Sequence, residues 1–297
     1  MKSINKYIII FLSLFLFAAC DFMDCNESDY YSKEQIQGSY ARVKQFVTNV
    51  YSYLPQDFCS IDGAMQDAAT DDAVHVYRTS KVQRFVNGTW SANATIDDKF
   101  SNYYSGIHDA NFYLENMVGL TFEDWKYGDE YEDWMKEYPN YEYEVRFLRA
   151  FFYFELVKRY GGVPIIGDKV YELNENIELP RSTFEQCIKY IVSELDDIKD
   201  DLRSLPLPDA AASAHVVNTQ AAQALKIRVL LYAASPLFNE KPIESGNELI
   251  GYASYDRERW KIAADAARNF INTYGTGDGA IMGLDDNFKN VFTNWYS

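Results

Sequence analysis

A stretch between residues 56 and 98 carries polar and aromatic side chains without clear helical or strand periodicity. An uncharged sugar in water is bound by a flat apolar side chain against the C–H face of its ring. Carboxylates, amides or arginine bind its hydroxyl groups. Loops on a rigid scaffold are where such binding residues concentrate. The candidate ligand-binding residues of this stretch are Asp72, His75, Tyr77, Arg78, Asn87 and Trp90.

Two of these candidates also have a purely structural interpretation. Trp90 fits a core-filling role as well as it fits ligand stacking, because tryptophan is mostly buried on average. Asp72, with Asp71 before it, is more typical of a turn or a helix cap than of a ligand contact. Both interpretations stay open at the level of the sequence.

Residue spacing gives little support for catalysis. The three histidines, at positions 75, 108 and 215, show no HExxH or other metal-ligand spacing. Neither a GxSxG motif nor a glycine-rich phosphate loop is present. A glycosidase needs only two carboxylates at a suitable separation, and 44 acidic residues always provide some pair, so that alternative is not eliminated. We expect no enzymatic activity, no cofactor and no metal.

Residues 1–19 have the order of a secretory signal. Lys2 and Lys6 precede an apolar run from residue 7 to residue 17, and Ala18 and Ala19 precede Cys20. The apolar run is shorter than the roughly 20 residues that span a bilayer, which disfavours a permanent membrane helix. The sequence from Phe17 to Cys20 resembles the lipobox of bacterial lipoproteins, although that pattern prefers leucine where Phe17 stands. We expect Cys20 to carry the lipid; the alternative is a plain secretory signal with an incidental thiol.

Charge and cysteine content exclude several classes of protein. The formal net charge is −16, and removal of residues 1–19 with their two lysines makes it −18. Such a surface repels nucleic acid and anionic lipid headgroups. If Cys20 is lipidated, Cys25, Cys59 and Cys187 remain, with no CxxC spacing, which fits neither a disulfide framework nor a zinc site. One disulfide among these three is compatible with an oxidising compartment, but its pairing is not fixed.

Apolar periodicity predicts six amphipathic helices. The first two cover residues 32–54 and 99–117. The third covers residues 141–160 and ends at Gly161 and Gly162, and the fourth covers 182–205 and begins with a capping box of Ser182 and Glu185. The last two cover 218–234 and the residues after Asp256.

These helices predict an all-α protein with a tetratricopeptide-like (TPR-like) helical superhelix and long irregular loops. A few short strands are expected within residues 56–98 and 162–180. The predicted organisation is a signal peptide at 1–19, a polar tether at 20–31 and one helical domain at 32–297. Helical spacing predicts that the aromatic residues at 151–154 are core. Flanking glutamates predict that Arg146, Arg149, Lys158 and Arg159 form ion pairs and not a basic patch.

Four sequence blocks resemble the SusD/RagB family of outer-membrane nutrient-binding lipoproteins of Bacteroidetes. The most specific is EVRFLRAFFYFELVKRYGGVPII at residues 144–166. RSTFEQCI at 181–188, AAQALKIRVLLYAASPLFN at 221–239 and WKIAADAA at 260–267 follow in the family's order. YSGIHDANFYLEN at 104–116 and the lipobox also lie where the family has them.

The resemblance implies a lipid anchor in the outer membrane, exposure at the cell surface and a SusC-like TonB-dependent transporter as partner. It also implies binding of glycans or other polymer-derived nutrients without chemistry on them. Members are considerably longer, so we expect the domain to be incomplete at its C-terminal end. The alternatives are a lipid-anchored polysaccharide-degrading enzyme and a TPR-like adaptor that binds only protein. The sequence does not identify the nutrient.

Overall fold

The computed structural model describes residues 31–55, 61–91, 93–171, 175–205, 216–276 and 280–293. The signal segment, Cys20, Cys25 and Cys59 lie outside these residues. The first α-helices are α1 (Lys33–Gln37), α2 (Tyr40–Tyr51), α3 (Gln83–Asn87), α4 (Phe100–Asn116), α5 (Tyr131–Glu137) and α6 (Asn140–Tyr160). The chain continues with α7 (Phe184–Ile198), α8 (Thr219–Ala234), α9 (Pro236–Asn239), α10 (Glu258–Tyr274) and α11 (Phe288–Thr293). Single 3₁₀ turns lie at Gln66–Ala69 and Glu123–Trp125.

The long helices pack in chain order, as expected for a layered helical protein. Helix α4 packs on α6, α6 on α7, α7 on α8, and α8 on α10. Helix α6 is central and buries residues on nearly all of its sides, including Phe152, Tyr153 and Phe154. The predicted all-α fold is therefore confirmed, and the 151–154 aromatics are core except for Phe151, which is half-buried. Among the described residues, backbone pairing is limited to two isolated bridges, Ile61 with Ala64 and Ser91 with Ala94, and no strand forms.

The helix predicted over residues 32–54 is wrong as a single element. It is divided into α1 and α2 at Gly38 and Ser39. Ser32 caps α1 with a reciprocal capping box to Gln35, whereas Ser39 takes an extended conformation and begins α2 anew. The apolar periodicity continues across the break because Ile36 and Tyr40 are four residues apart, so the pattern conceals it.

Two glycines end α6 as predicted, and close packing explains the need for them. Gly161 has φ +72°, and a Cβ there would lie 2.3 Å from the carbonyl oxygen of Leu249. A Cβ on Gly162 would lie 2.0 Å from the carbonyl oxygen of Ser182. The chain after α6 can therefore approach the segments before α7 and around Leu249 only without side chains at these positions.

The capping box at α7 is displaced by one residue from its predicted position. Thr183, not Ser182, caps the helix, and its partner is Gln186, not Glu185. Ser182 is held alongside Gly162 and donates its backbone N–H to Val163 O at 3.1 Å. The helix also ends at Ile198, earlier than the predicted Leu205.

Cation side chains of α6 are bound in ion pairs, as predicted. Arg149 is 2% exposed and contacts Asp168 at 2.6 Å and Glu194 at 2.8 Å. Arg159 pairs with Asp97 and Glu155 at 2.8 and 2.7 Å. The remaining pairs are Arg146 with Glu194 and Lys158 with Glu155. Cys187, on α7, is a buried free thiol that contacts the backbone of Val163.

Candidate functional site

The irregular segment that carries the sequence-predicted site is a folded unit with its own small core. Ala64, Ala68 and Val82 are buried, and Ile61 and Phe85 pack against them. The backbone N–H of Lys81 donates a hydrogen bond of 2.8 Å to the carboxylate of Asp62, which also accepts one from the Ser80 side chain; these bonds close the chain between residues 62 and 81. These bonds hold the pKa of Asp62 below its usual value. The candidate residues are therefore presented on a defined backbone.

His75 and Tyr77 form one neighbouring pair on this unit. Their ring centroids are 5.5 Å apart, and the carbonyl oxygen of His75 accepts a hydrogen bond of 2.9 Å from Gln83 Nε2. The Tyr77 side chain is 71% exposed. Tyr77 thus offers a broad aromatic surface to solvent beside an imidazole that is only half-buried.

Asn87 is the last residue of the short helix α3, and Trp90 lies three residues after it. Gly88 turns the chain with φ +69°, and Asn87 Oδ1 accepts hydrogen bonds from the backbone and hydroxyl of Thr89 at 3.1 and 2.6 Å. Trp90 is 57% exposed, with one side against Phe85 at a centroid distance of 6.3 Å. The core-filling interpretation of Trp90 is therefore wrong, and its ring is available to a ligand.

Asp72 and Arg78 are exposed on the same segment. The turn at Asp72 is closed by Thr70, whose hydroxyl accepts the Asp72 backbone N–H at 3.2 Å, so the aspartate side chain does not form it. Among the described residues, no ring contact or hydrogen bond links Asp72, Arg78 or Trp90 with the His75 and Tyr77 pair. The structure thus places all six predicted residues on one exposed unit and joins only two of them directly.

A groove lies between α4 and the segment after α6, and the sequence prediction did not include it. It has a volume of about 670 Å³ and runs between one face of α4 and residues 164–179. Phe100, Tyr104 and His108 form the α4 side, and Ile166, Tyr171, Ile177 and Leu179 form much of the other. The spacing of four residues along α4 is the signal that could have shown this face. Most of the groove surface is apolar.

Buried polar residues fix the wall of this groove. Asn111 Nδ2 donates to the carbonyl oxygens of Gly167 and Lys169 at 2.9 and 3.0 Å, and Arg149 donates to Asn111 Oδ1 at 2.8 Å. Tyr104 donates its hydroxyl proton to Pro164 O at 2.7 Å. Burial raises the pKa of Tyr104, so its hydroxyl remains a donor at neutral pH.

The described residues hold no group of three or more histidine, cysteine or acidic side chains arranged for a metal ion. Within the same residues, no helix is both long enough and apolar enough to cross a membrane. The exposed unit offers aromatic rings, at Tyr77 and Trp90, and exposed polar side chains, at Asp72 and Arg78.

Comparison with known proteins agrees with the helical fold. A family model described as SusD-like, starch-binding associating with outer membrane, matches residues 21–231, which is more than half of the chain. No curated protein matches the chain significantly.

Solved structures give the same picture. A SusD-like protein from Bacteroides fragilis is 26% identical, with a TM-score of 0.58, over 82% of this chain and 40% of that one. A laminarin-binding SusD-like protein is 20% identical, with a TM-score of 0.60, over 85% and 48%. Surface glycan-binding protein A from Bacteroides uniformis is 17% identical, with a TM-score of 0.54, over 86% and 49%.

The last two likenesses are below 25% identity and bear on the fold alone. The chain spans less than half of the length of these solved proteins. Since the family model covers most of the chain and the helical architecture agrees with these structures, the chain belongs to the SusD-like, or SusD/RagB, family.

Proposed function

We propose that this protein binds a neutral glycan on the exposed unit of residues 61–91. One observation carries the proposal: Tyr77 and Trp90 present aromatic surface to solvent on a folded backbone, in a chain of the SusD-like family. The description of the family model, starch-binding associating with outer membrane, supports the same ligand class. A neutral polymer also suits a molecule with a net charge of −16, which would repel an anionic one.

Each candidate residue has a distinct contribution to such binding. Trp90 and Tyr77 would stack on the C–H faces of sugar rings. Asp72 and Asn87 would accept hydrogen bonds from sugar hydroxyls, and Arg78 would donate them. His75, beside Tyr77, would limit the positions that the tyrosine ring takes.

Affinity electrophoresis with starch, laminarin, xylan and mannan tests this proposal. We expect one of these polysaccharides to retard the wild-type protein and to retard Trp90→Ala much less, with affinity reduced about tenfold or more, or about 1.4 kcal/mol. The control is Tyr255→Ala, which removes another exposed aromatic residue outside the unit. If the polysaccharide that retards the wild type retards Trp90→Ala and Tyr255→Ala equally, Trp90 is excluded from the site.

We further propose that the protein is a surface lipoprotein anchored through Cys20 in the outer membrane and that it delivers its ligand to a SusC-like TonB-dependent transporter. The signal-like residues 1–19 and the lipobox support the anchor. Several acyl chains at one cysteine would hold the body stably at the membrane, where one chain alone binds only marginally. The family description supports association with the outer membrane.

Replacing Cys20 tests the anchor in the cell. Cys20→Ala should abolish incorporation of radiolabelled palmitate and move the protein from the membrane fraction to the aqueous fraction. Cys25→Ala should leave both unchanged, because that cysteine does not follow the small residues of the signal. Labelling of the Cys20→Ala protein would show that the lipid is attached elsewhere.

A further inference from the structure

A second aromatic surface lies at the break between α1 and α2, far in sequence from the unit of residues 61–91. Its pocket has a volume of about 420 Å³ and is lined by Gln35, Gly38, Ser39, Arg42, Asp124 and Trp125. We call it the Trp125 pocket. Its volume is within the range of about 300–1,000 Å³ that is typical of small-ligand sites.

The Trp125 ring is half exposed, at 49%, yet it is held in place. Its Nε1–H donates to the carbonyl oxygen of Gly38 at 3.2 Å, and its ring packs edge-on against Trp134 at a centroid distance of 6.0 Å. The Gly38 carbonyl faces this indole because α1 ends there, and α2 begins its own hydrogen bonds at Ser39. A ring fixed in this way loses little conformational freedom when a ligand stacks on it.

Three residues before Trp125 the backbone takes a left-handed conformation, which is strained for a large side chain. Phe122 has φ +48°, a conformation that is rare for a large side chain. Its own ring is buried edge-on against Tyr40 and Tyr138, at 5.9 and 5.2 Å, which holds the residue there. Strained residues that the surrounding core fixes in this way occur preferentially at binding sites.

Hydrogen-bond donors and acceptors surround the Trp125 ring. Ser39 begins α2 but its hydroxyl makes no capping bond, so its side chain is not used as helix N-terminal serines usually are. Arg42 donates one N–H to Gln35 O at 2.9 Å and lies over the Tyr31 ring at 4.0 Å, which orients the guanidinium. The Asp124 carboxylate completes the rim as an acceptor.

We propose that the Trp125 pocket is a second saccharide-binding site, which takes one or two rings of a neutral oligosaccharide. The indole would stack on the C–H face of a sugar, while Ser39, Arg42 and Asp124 would bind its hydroxyl groups. Asp124 disfavours an anionic ligand, and the mixed polar lining disfavours an apolar helix. This inference rests on the proposed function, since it assumes that the protein binds glycans, but it assigns a separate set of residues.

Indole N–H resonances of the ¹⁵N-tryptophan-labelled protein provide the test. The chain has five tryptophans, and Trp125→Phe and Trp90→Phe assign the two resonances of interest. Laminarihexaose, maltohexaose, xylohexaose and mannohexaose are titrated separately. We expect the Trp125 resonance to shift saturably with at least one of them, both in the wild type and in Trp90→Ala.

Two substitutions distinguish a loss of ligand affinity from a loss of folding stability. Ser39→Ala removes a hydroxyl that makes no capping bond, so the melting temperature should stay unchanged while the affinity reported by Trp125 falls about tenfold. Tyr127→Ala, which removes a 97% exposed ring two residues away from Trp125, should change neither. Affinity that is unaffected by Ser39→Ala would overturn the assignment of the pocket.

The outcomes distinguish this inference from the proposed function. A Trp90 resonance that shifts while Trp125 stays fixed with every oligosaccharide would overturn the second site and leave the proposed function intact. A Trp125 resonance that shifts while Trp90 stays fixed would support the pocket and contradict the placement of the first site. If neither resonance responds to any of the four sugars, both proposals fail.

Discussion

Arg149 is a charged residue at the centre of the helical body, and its partners explain why it can be there. Hydrogen bonds to Asn111, Asp168 and Glu194 compensate for the loss of water around its guanidinium. Through Asn111 it also holds residues 167–169, which form a wall of the groove between α4 and residues 164–179; we call this groove the α4 groove. A buried charge with several partners has a larger effect on stability than an exposed pair.

Replacing Arg149 tests that contribution. Arg149→Met should lower the free energy of unfolding by about 1.5–3 kcal/mol, because the hydrogen bonds of its buried guanidinium are lost. Glu194 keeps Arg146 as a partner at 3.2 Å, so its charge is not left unpaired. Lys189→Met removes the exposed ion pair with Glu185 and should cost less than about 1 kcal/mol. Urea unfolding measures both, and similar losses for the two variants would show that the Arg149 network adds no net stability.

Glu137 gives the folded state a pH dependence. Burial of its carboxylate acts to raise the pKa, but hydrogen bonds from Tyr40 at 2.5 Å and Lys44 at 3.0 Å outweigh this and lower it. The pKa of Glu137 is lower in the folded state than its ordinary value, so the ionised carboxylate stabilises the fold at any pH above that ordinary value. This contribution is lost as the pH falls through the folded pKa.

The expected result is a difference between wild type and Glu137→Gln that depends on pH. At pH 7 the variant should be less stable by about 1 kcal/mol, the typical difference between a charged and a neutral hydrogen bond. As the pH falls through the lowered pKa of Glu137, the two unfolding free energies should converge. Glu132→Gln, an exposed change on the same helix, should track the wild type throughout. A difference that grows towards acid pH would contradict the assignment.

At the scale of elements, the start of α7 depends on which of two adjacent hydroxyl residues caps it. Thr183→Ala should cost about 1 kcal/mol, because Gln186 N–H loses its acceptor at 3.2 Å. Ser182→Ala should cost less than about 0.5 kcal/mol, because Ser182 contributes its backbone and not a cap. Thermal unfolding of the two variants checks this, and a larger loss for Ser182→Ala would restore the sequence-based prediction.

Long periodic runs explain which elements could be predicted. The bounds of α4, α6 and α8 agree with the apolar pattern within about one residue, because these helices are long and packed on several sides. The overlapping patterns S-x-x-E and T-x-x-Q at Ser182 and Thr183 are equivalent locally, and the close packing of Gly162 decides between them. The break at Gly38 was hidden because one of its contacts, with Trp125, comes from 87 residues away.

The sequence predicted which segment of the chain carries the candidate site, but not which of its side chains are exposed together. An irregular, aromatic stretch indicated residues 72–90, whereas the exposure of Trp90 depends on how Phe85 and the small core of the unit pack beneath it. The α4 groove and the Trp125 pocket join residues distant in sequence. Such surfaces follow from tertiary packing, which a single periodic pattern does not encode.

At the scale of the whole molecule, the packed helices alternate with irregular segments. The body from α4 to α10 packs neighbour on neighbour, and the 61–91 unit with its exposed aromatic rings lies before α4 in the chain. The last long helix contacts α8 and buries Ala263, while Trp260 and Ile271 are 38% and 54% exposed.

The central claim is tested most directly by calorimetry. The polysaccharide that retards the wild-type protein in electrophoresis is titrated into the wild type, Trp90→Ala and Tyr255→Ala, and each mixture is then assayed for new reducing ends. We predict a saturable heat of binding for the wild type and for Tyr255→Ala, and about tenfold weaker binding for Trp90→Ala. We also predict that no new reducing ends appear. Appearance of reducing ends in step with active protein would contradict the claim and identify a polysaccharide-degrading enzyme. Absence of heat with a folded wild-type protein would contradict glycan binding itself.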